Sequence, residues 1–144
     1  MSDVRWDAAD GVLISRLSGT VSVADVGRWK AELRATLAAV PDGGSFRLLS
    51  DMSGYAPAGL EAHKVMRVVI PLLLAAHGFR TGLVDMAGGE EPAVTTTRGI
   101  RCVAVAHVHH DAGKMALYQE RVGGATERFF TDPGAALAWV RAAV

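Results

Sequence analysis

Hydrophobic positions along the chain follow two different periods, and these predict the elements. Short apolar runs are typical of strands, whereas apolar residues spaced three or four apart are typical of helices. The short runs lie at residues 4–7, 12–21, 46–49, 81–86, 94–97, 101–108 and 127–131. The helical spacing occurs at residues 22–40, 57–78, 111–122 and 132–144. This alternation predicts one α/β domain over residues 1–144, with a mixed sheet of five to six strands packed by helices.

Helix boundaries are marked by local capping signals. Ser22 is followed three residues later by Asp25, which is the spacing of a capping box. Asp111 and Asp132 precede two further helical patterns, where an aspartate accepts a free backbone N–H. Pro71 lies inside the second helical pattern, and proline lacks the N–H that an α-helix needs. We therefore expect a kink or break close to residue 70.

Composition excludes several classes of protein. The formal net charge is zero and no basic stripe is present, so a nucleic-acid binder is not expected. The most apolar run, residues 68–76, is far shorter than the ~20 residues that span a bilayer. The amino-terminal residues lack the pattern of a signal peptide. Cys102 is the only cysteine, which indicates a reducing compartment, and we expect a cytoplasmic protein.

Three histidines cluster where the strongest predicted strand ends, in the segment AVAHVHHDAGKM. In an extended strand His107 and His109 point to one side and His110 to the other. A His-x-His pair on one face is half of a metal site. Alternatively, Asp111 only caps the next helix, and the histidines are solvated or bonded to Asp111 or to loop backbone.

Two further carboxylates are predicted at the same edge of the sheet. Asp51 follows one predicted strand and Asp85 ends another, and the carboxyl ends of parallel strands share an edge where ligands bind. Two imidazoles with a carboxylate would suit zinc, manganese or iron. The metal candidates are His107, His109 and Asp111, and no cofactor is otherwise expected.

Arginines and threonines after residue 94 offer a second candidate site. Arg98 and Arg101, with the threonines at 95–97 and the glycines at 82, 88, 89 and 99, could form an anion pocket. Their spacing matches neither a P-loop nor a dinucleotide fingerprint. The simpler interpretation is a polar loop, because residues 87–99 are irregular apart from the short run at 94–97.

The remaining candidates point to packing rather than to chemistry. The helical pattern at 65–76 is apolar nearly all round, which predicts burial on more than one side. It indicates either a homo-oligomeric interface in addition to packing on the sheet or burial in the core alone. Cys102 lies early in a buried strand and is expected to be an inert core thiol. The chain has no Gly-x-Ser-x-Gly elbow, and we predict no catalytic residue.

Two carboxyl-terminal segments, RCVAVAHVHHDAGKMALYQERVG and ERFFTDPGAALAWV, carry a family resemblance. They resemble the SpoIIAA-like group of STAS-type domains, in which an apolar strand and helix precede an aromatic-Asp-Pro turn and a closing helix. Phe130, Asp132, Pro133 and Trp139 stand at the positions of that turn and helix. The resemblance implies the fold, which is similar in outline to the lipid-binding CRAL-TRIO fold. Residues 87–99 look like an addition to the pattern.

The resemblance also implies where a regulatory phosphoacceptor would stand. STAS domains that antagonise anti-sigma factors are switched by a serine or threonine at the start of the helix after the third strand. Asp51, Met52 and Ser53 resemble the motif before that helix, but alanine and proline follow where the phosphoacceptor should be. The phosphoserine switch is therefore expected to be absent.

These observations together predict a non-enzymatic cytoplasmic binding or regulatory module. Its partner would be a protein or a small apolar or anionic ligand, bound near Asp51, Asp85 and His109. The alternative is a metal-dependent enzyme that uses the histidines and aspartates at the carboxyl edge of the sheet.

Overall fold

The computed structural model describes residues 1–87 and 91–143. Its strands are β1 Ser2–Asp7, β2 Val12–Leu17, β3 Gly19–Val21, β4 Ser45–Met52, β5 Tyr55–Pro57, β6 Arg101–His109 and β7 Glu127–Phe130. Its helices are α1 Val23–Leu37, α2 Leu60–Met66, α3 Val69–Ala75, α4 Leu83–Ala87, α5 Ala112–Val122 and α6 Pro133–Ala142.

Five of the strands form one mixed sheet in the order β1-β2-β4-β6-β7. The hairpin β1–β2 is antiparallel, and the pairs β2–β4, β4–β6 and β6–β7 are parallel. The short strands β3 and β5 pair separately. The predicted α/β architecture, with a mixed sheet of five to six strands, is confirmed. Because β4, β6 and β7 run in the same direction, their carboxyl ends lie at one edge of the sheet.

The two faces of the sheet are covered unequally. On the first face, Leu13, Leu48 and Val105 pack in one hydrophobic core with residues of α1 and α3, including Trp29 and Leu74. On the second face a smaller core joins the sheet to α6, and its buried members are Val12, Leu49, Ala104, Ala106, Val108, Ala136, Val140 and Ala143. Successive side chains of a strand point to opposite faces of the sheet, so alternate residues of each central strand pack in opposite cores.

Local signals set the helix boundaries largely as predicted. Ser22 and Asp25 form the reciprocal capping box at the start of α1. Asp111 caps α5 and Asp132 caps α6 through their side-chain oxygens. The predicted break also occurs, because the helical segment divides into α2 and α3 just before residue 69. Pro71 consequently lies in the first turn of α3, where its missing N–H costs least.

Two of the strand-like runs do not form strands. Residues 81–86 do not extend the sheet, since β4 pairs directly with β6 and leaves no position between them. Gly82 and Thr81 instead bond to Glu127, and the short helix α4 starts at Leu83. A short apolar run cannot by itself distinguish a strand from a buried helix. Residues 91–99 are irregular as predicted, but the run at 94–97 forms no strand, and Thr97 makes an isolated bridge to Ile100.

No helix within the described ranges is long and apolar enough to cross a bilayer.

Candidate functional site

A cavity of about 710 Å³ lies between the first face of the sheet and the helices α2–α5. Its walls are largely apolar, and they include four of the five methionines in the chain. These methionines are Met52, Met66, Met86 and Met115. The other apolar wall residues are Val68, Ile70, Pro71, Leu72, Leu83, Val84, Pro92, Val108 and Phe129. A volume in this range and an apolar lining are typical of small-molecule sites.

A row of side chains across the sheet forms the cavity floor. Ser50 on β4 lies directly beside His107 on β6, and His107 lies beside Phe129 on β7. All three line the cavity. In the same row Ser15 on β2 accepts a hydrogen bond from Trp29 Nε1 at 2.8 Å. The hydroxyl of Ser50 bonds to no protein group among the described residues, so it is available to an occupant.

His107 is held rigidly from two sides. Its ring stacks on Phe129, with centroids 4.6 Å apart and an interplanar angle of 15°. Its Nε2 lies 2.6 Å from Oε2 of Glu127, which is two residues before Phe129 on the same strand. Both side chains of this pair are more than nine-tenths buried, since His107 retains 9% exposure and Glu127 retains 8%. The imidazole is therefore fixed in position and orientation.

Hydrogen bonds determine the protonation of this buried pair. Burial raises the pKa of Glu127, but hydrogen bonds from His107, Thr81 and Gly82 outweigh it and lower the pKa overall. The Thr81 hydroxyl donates to Oε2, and the Gly82 N–H donates to Oε1 at 2.8 Å. Because an ionised carboxylate only accepts, the His107 proton in this bond resides on Nε2. Nδ1 has no partner in the described part of the chain and is left to the cavity.

Basic side chains occupy one end of the cavity lining. His63 lies in α2 and Arg67 follows its last residue, His109 ends β6, and Lys114 lies in the first turn of α5. The pKa of His109 is lowered, chiefly by burial and then by the charge of Lys114. His109 is therefore neutral near pH 7, and because its Nδ1 accepts the Asp111 N–H, its Nε2 carries the proton and can donate a hydrogen bond. His107 and His109 are alternate residues of β6, so they point to the same side of the strand, as predicted, and both line the cavity.

The predicted carboxylates do not join the histidines. Asp51 is buried beside Arg16, 3.3 Å away, on the side of the sheet opposite to Ser50. Asp85 lies on α4 rather than at a strand end, and its carboxylate pairs with Arg80 at 2.7 Å. Within residues 1–87 and 91–143, no three His, Cys, Asp or Glu side chains are placed to hold a metal ion. The ligand set proposed from sequence is not brought together.

His110 and Asp111 make local contacts at the start of α5. The ring of His110 packs against His109, with centroids 4.2 Å apart. The carboxylate of Asp111 accepts the backbone N–H of Lys114 at 3.0 Å, and the Asp111 N–H donates to Nδ1 of His109 at 3.1 Å. The alternative proposed from sequence is a helix cap, with the histidines solvated or bonded near it. Asp111 is this cap, His109 accepts the Asp111 N–H, and His110 is exposed.

Arg98 and Arg101 lie away from the cavity. Arg98 caps the end of the α1 segment, because its guanidinium donates to the carbonyl oxygens of Val40 and Leu37 and pairs with Asp42. These bonds hold its backbone in the left-handed region, at φ 55°. Arg101 is exposed at the opposite end of β6 from His109. Of the glycines assigned to this anion pocket, those at 88 and 89 lie outside the described residues.

Glu127 was not predicted as a site residue, although the sequence contains a signal for it. It stands two residues before Phe129 in the run ERFF, so a strand there places a carboxylate on the same face as a buried ring. A buried carboxylate needs donors, and the sequence does not reveal them. The methionine lining was also missed, because its members come from a strand and three different helices.

One of three comparisons with known proteins finds a similar fold. No protein-family model matches the sequence, and no curated protein matches it. A solved structure does match: an uncharacterised protein of the DUF3478 family with a SpoIIAA-like fold, from Shewanella loihica PV-4. The match has a TM-score of 0.56 at 15% sequence identity, and it covers 97% of this chain and 92% of that chain.

The protein is therefore a mixed α/β domain with a SpoIIAA-like fold. The resemblance drawn from the carboxyl-terminal segments is confirmed at the level of the fold. At this sequence identity the likeness shows architecture alone, so function has to be argued from the cavity.

Proposed function

We propose that this protein is a non-enzymatic binding or regulatory module that holds a small, largely apolar molecule in its cavity. The observation that carries the proposal is the cavity itself, about 710 Å³ in volume and lined mainly by aliphatic, methionine and aromatic side chains. An apolar molecule that leaves water for such a site gains roughly 25 cal/mol for each Å² of apolar surface that it buries.

The methionines suggest how the site accommodates its ligand. Methionine is unbranched and polarisable, so it adapts its shape to an irregular apolar partner. Met115 is buried on α5, whereas Met52, Met66 and Met86 are partly buried around the cavity. We expect these side chains to repack around the ligand, while the rigid sheet carrying His107 keeps its geometry.

A phosphoserine switch is not part of the proposal. The helix that follows β4 and β5 is α2, and its N-cap is Gly59, which offers no side-chain hydroxyl. Residues 54–66 contain neither serine nor threonine. Ser53 lies earlier, in the turn after β4, where its N–H donates to Asp51. These positions favour regulation through an occupant of the cavity over phosphorylation at the helix start.

The test uses methionine methyl groups as reporters. The protein is labelled with ¹³C-methyl methionine and titrated with decanol, and its methyl NMR spectrum is recorded at each step. We expect the four cavity methyl signals to shift in a saturable way, while Met1, which is 82% exposed, stays unchanged. Native mass spectrometry of the same sample should show one bound molecule per chain.

A matched pair of variants localises the binding. Met66→Trp places a bulky ring in the cavity and should weaken decanol binding by at least about tenfold. Leu117→Trp makes an equally large change on the exposed part of α5, away from the cavity lining, and should leave binding unaltered. Equal effects of the two substitutions, or no binding to the unsubstituted protein, would overturn the proposal.

Location in the cytoplasm and self-association stay predictions from the sequence. Sedimentation velocity over a range of protein concentrations tests the second of them directly.

A further inference from the structure

The cavity has a polar end that is rich in basic side chains. We call the side chains of His63, Arg67, His109 and Lys114 the basic end, and all four line the cavity. The charges of His63, Lys114 and Asp111 all act on His109, and Arg67 lies one helical turn after His63, which places these groups near one another. The apolar lining of α3 and α4 makes up the other walls. The cavity is thus amphipathic, with cationic groups at one end.

The cations of the basic end are not neutralised by the described protein. Neither the guanidinium of Arg67 nor the ammonium of Lys114 forms a salt bridge among residues 1–87 and 91–143. Lys114 Nζ instead lies over the ring of Tyr118, 5.6 Å from its centroid. Lys114 is partly buried, so its ammonium loses hydration and gains from an anionic partner, whereas Arg67 is exposed.

Carboxylates near the cavity are already engaged elsewhere. Glu91, which also lines the cavity, pairs with Arg80. Glu127 accepts three hydrogen bonds behind His107. Asp111 accepts the backbone N–H at the start of α5. Asp111 nevertheless keeps its negative charge, which acts on His109. The two cations that line the cavity, Arg67 and Lys114, outnumber it, so the basic end carries an excess of positive charge.

We propose, building on the proposed function, that the occupant is an organic anion whose apolar body lies along the methionines and whose head group binds at the basic end. A carboxylate fits this end because Lys114 supplies an ammonium donor and the neighbouring imidazoles supply further hydrogen-bonding nitrogens. Charge-assisted hydrogen bonds of this kind are stronger than neutral ones. The apolar walls then select an anion that carries a hydrocarbon chain over a small inorganic one.

The experiment compares ligands that share a chain and differ in the head group. Decanoate, decanol and decyltrimethylammonium are titrated into the labelled protein, and acetate tests the head group without the chain. We expect decanoate to bind at least about tenfold more tightly than decanol, which is the effect of one charge-assisted hydrogen bond. We expect the ammonium compound and acetate to bind more weakly than decanol and decanoate, respectively.

Two lysine variants identify the side chain that binds the negatively charged head group of the ligand. Lys114→Gln should remove most of the preference for decanoate over decanol. Lys64→Gln removes an equal charge from α2, but its exposed side chain does not line the cavity, and the preference should persist. Decanol affinity should be the same in both variants, which shows that the cavity remains folded.

Each other outcome has a distinct meaning. Equal binding of decanoate and decanol, or tighter binding of the ammonium compound, would overturn the anionic head group and leave the apolar binding site intact. Acetate binding as tightly as decanoate would overturn the role of the apolar body. Failure of all four probes to bind would overturn the proposed function itself.

Discussion

The imidazole of His107 and the carboxylate of Glu127 form a buried pair beneath the cavity, with Nε2 2.6 Å from Oε2. Their strands are parallel neighbours, so the contact joins β6 to the edge strand β7. The same carboxylate accepts the Thr81 hydroxyl and the Gly82 N–H, which ties the segment before α4 to the sheet. One ionised side chain thus fixes both the cavity floor and the start of one of its walls.

Removal of the charge of Glu127 should destabilise the protein. Glu127→Gln removes the negative charge that accepts from His107, Thr81 and Gly82, so charge-assisted hydrogen bonds become neutral ones in a buried place. We expect the free energy of unfolding to fall by about 2 kcal/mol. Urea denaturation at pH 7 measures it. The control is Glu120→Gln on the exposed side of α5, with an expected change within about 0.5 kcal/mol. Unchanged stability in Glu127→Gln would contradict the role assigned to the charge.

Acid should weaken the fold through the same residue. The pKa of Glu127 is lower in the folded protein than its ordinary value of 4.5. The unfolded chain therefore binds the proton more readily, and the stabilisation is complete above pH 4.5 and lost as the pH falls through the folded pKa. The stability difference between the unsubstituted protein and Glu127→Gln should shrink between pH 6 and pH 3, as followed by urea denaturation. A difference that stays constant over this range would be evidence against an ionised Glu127.

Glycine is required at position 82 because the chain passes close to α5. A Cβ atom built on Gly82 would lie 2.5 Å from Cβ of Val122, far inside any permitted contact. Gly82→Ala should therefore destabilise the protein by about 2 kcal/mol, since packed backbone has to move. The matched control is Gly124→Ala, where an added Cβ meets nothing within 4 Å. Thermal unfolding compares the two variants, and equal melting temperatures would show that the segment around Gly82 is not packed on α5.

Local sequence signals were sufficient for most of the helix boundaries. The capping residues Ser22, Asp111 and Asp132 each accept a backbone N–H within the next few residues, so their effect needs no distant partner. The break before Pro71 follows for the same reason, because proline acts on its own turn. Alternation along β6 likewise placed His107 and His109 on a shared side of the sheet.

Errors arose where a residue's role depends on distant parts of the chain. Asp51 was expected at the site because it ends a strand, but it occupies the register position that points to the other face and pairs with Arg16. Asp85 was misplaced because the run around it forms a helix. Its strand would have needed a position in the sheet that the direct pairing of β4 with β6 removes.

The sequence by itself determined the order of most elements, the capped helix starts and the shared orientation of two histidines, since these depend on residues a few positions apart. Only the tertiary structure decided that Glu127 lies behind His107, that Lys114 and Arg67 line the same cavity, and that four methionines surround it. These groups come from separate strands and helices. Their convergence depends on strand order, register and helix packing, which short-range spacing does not encode.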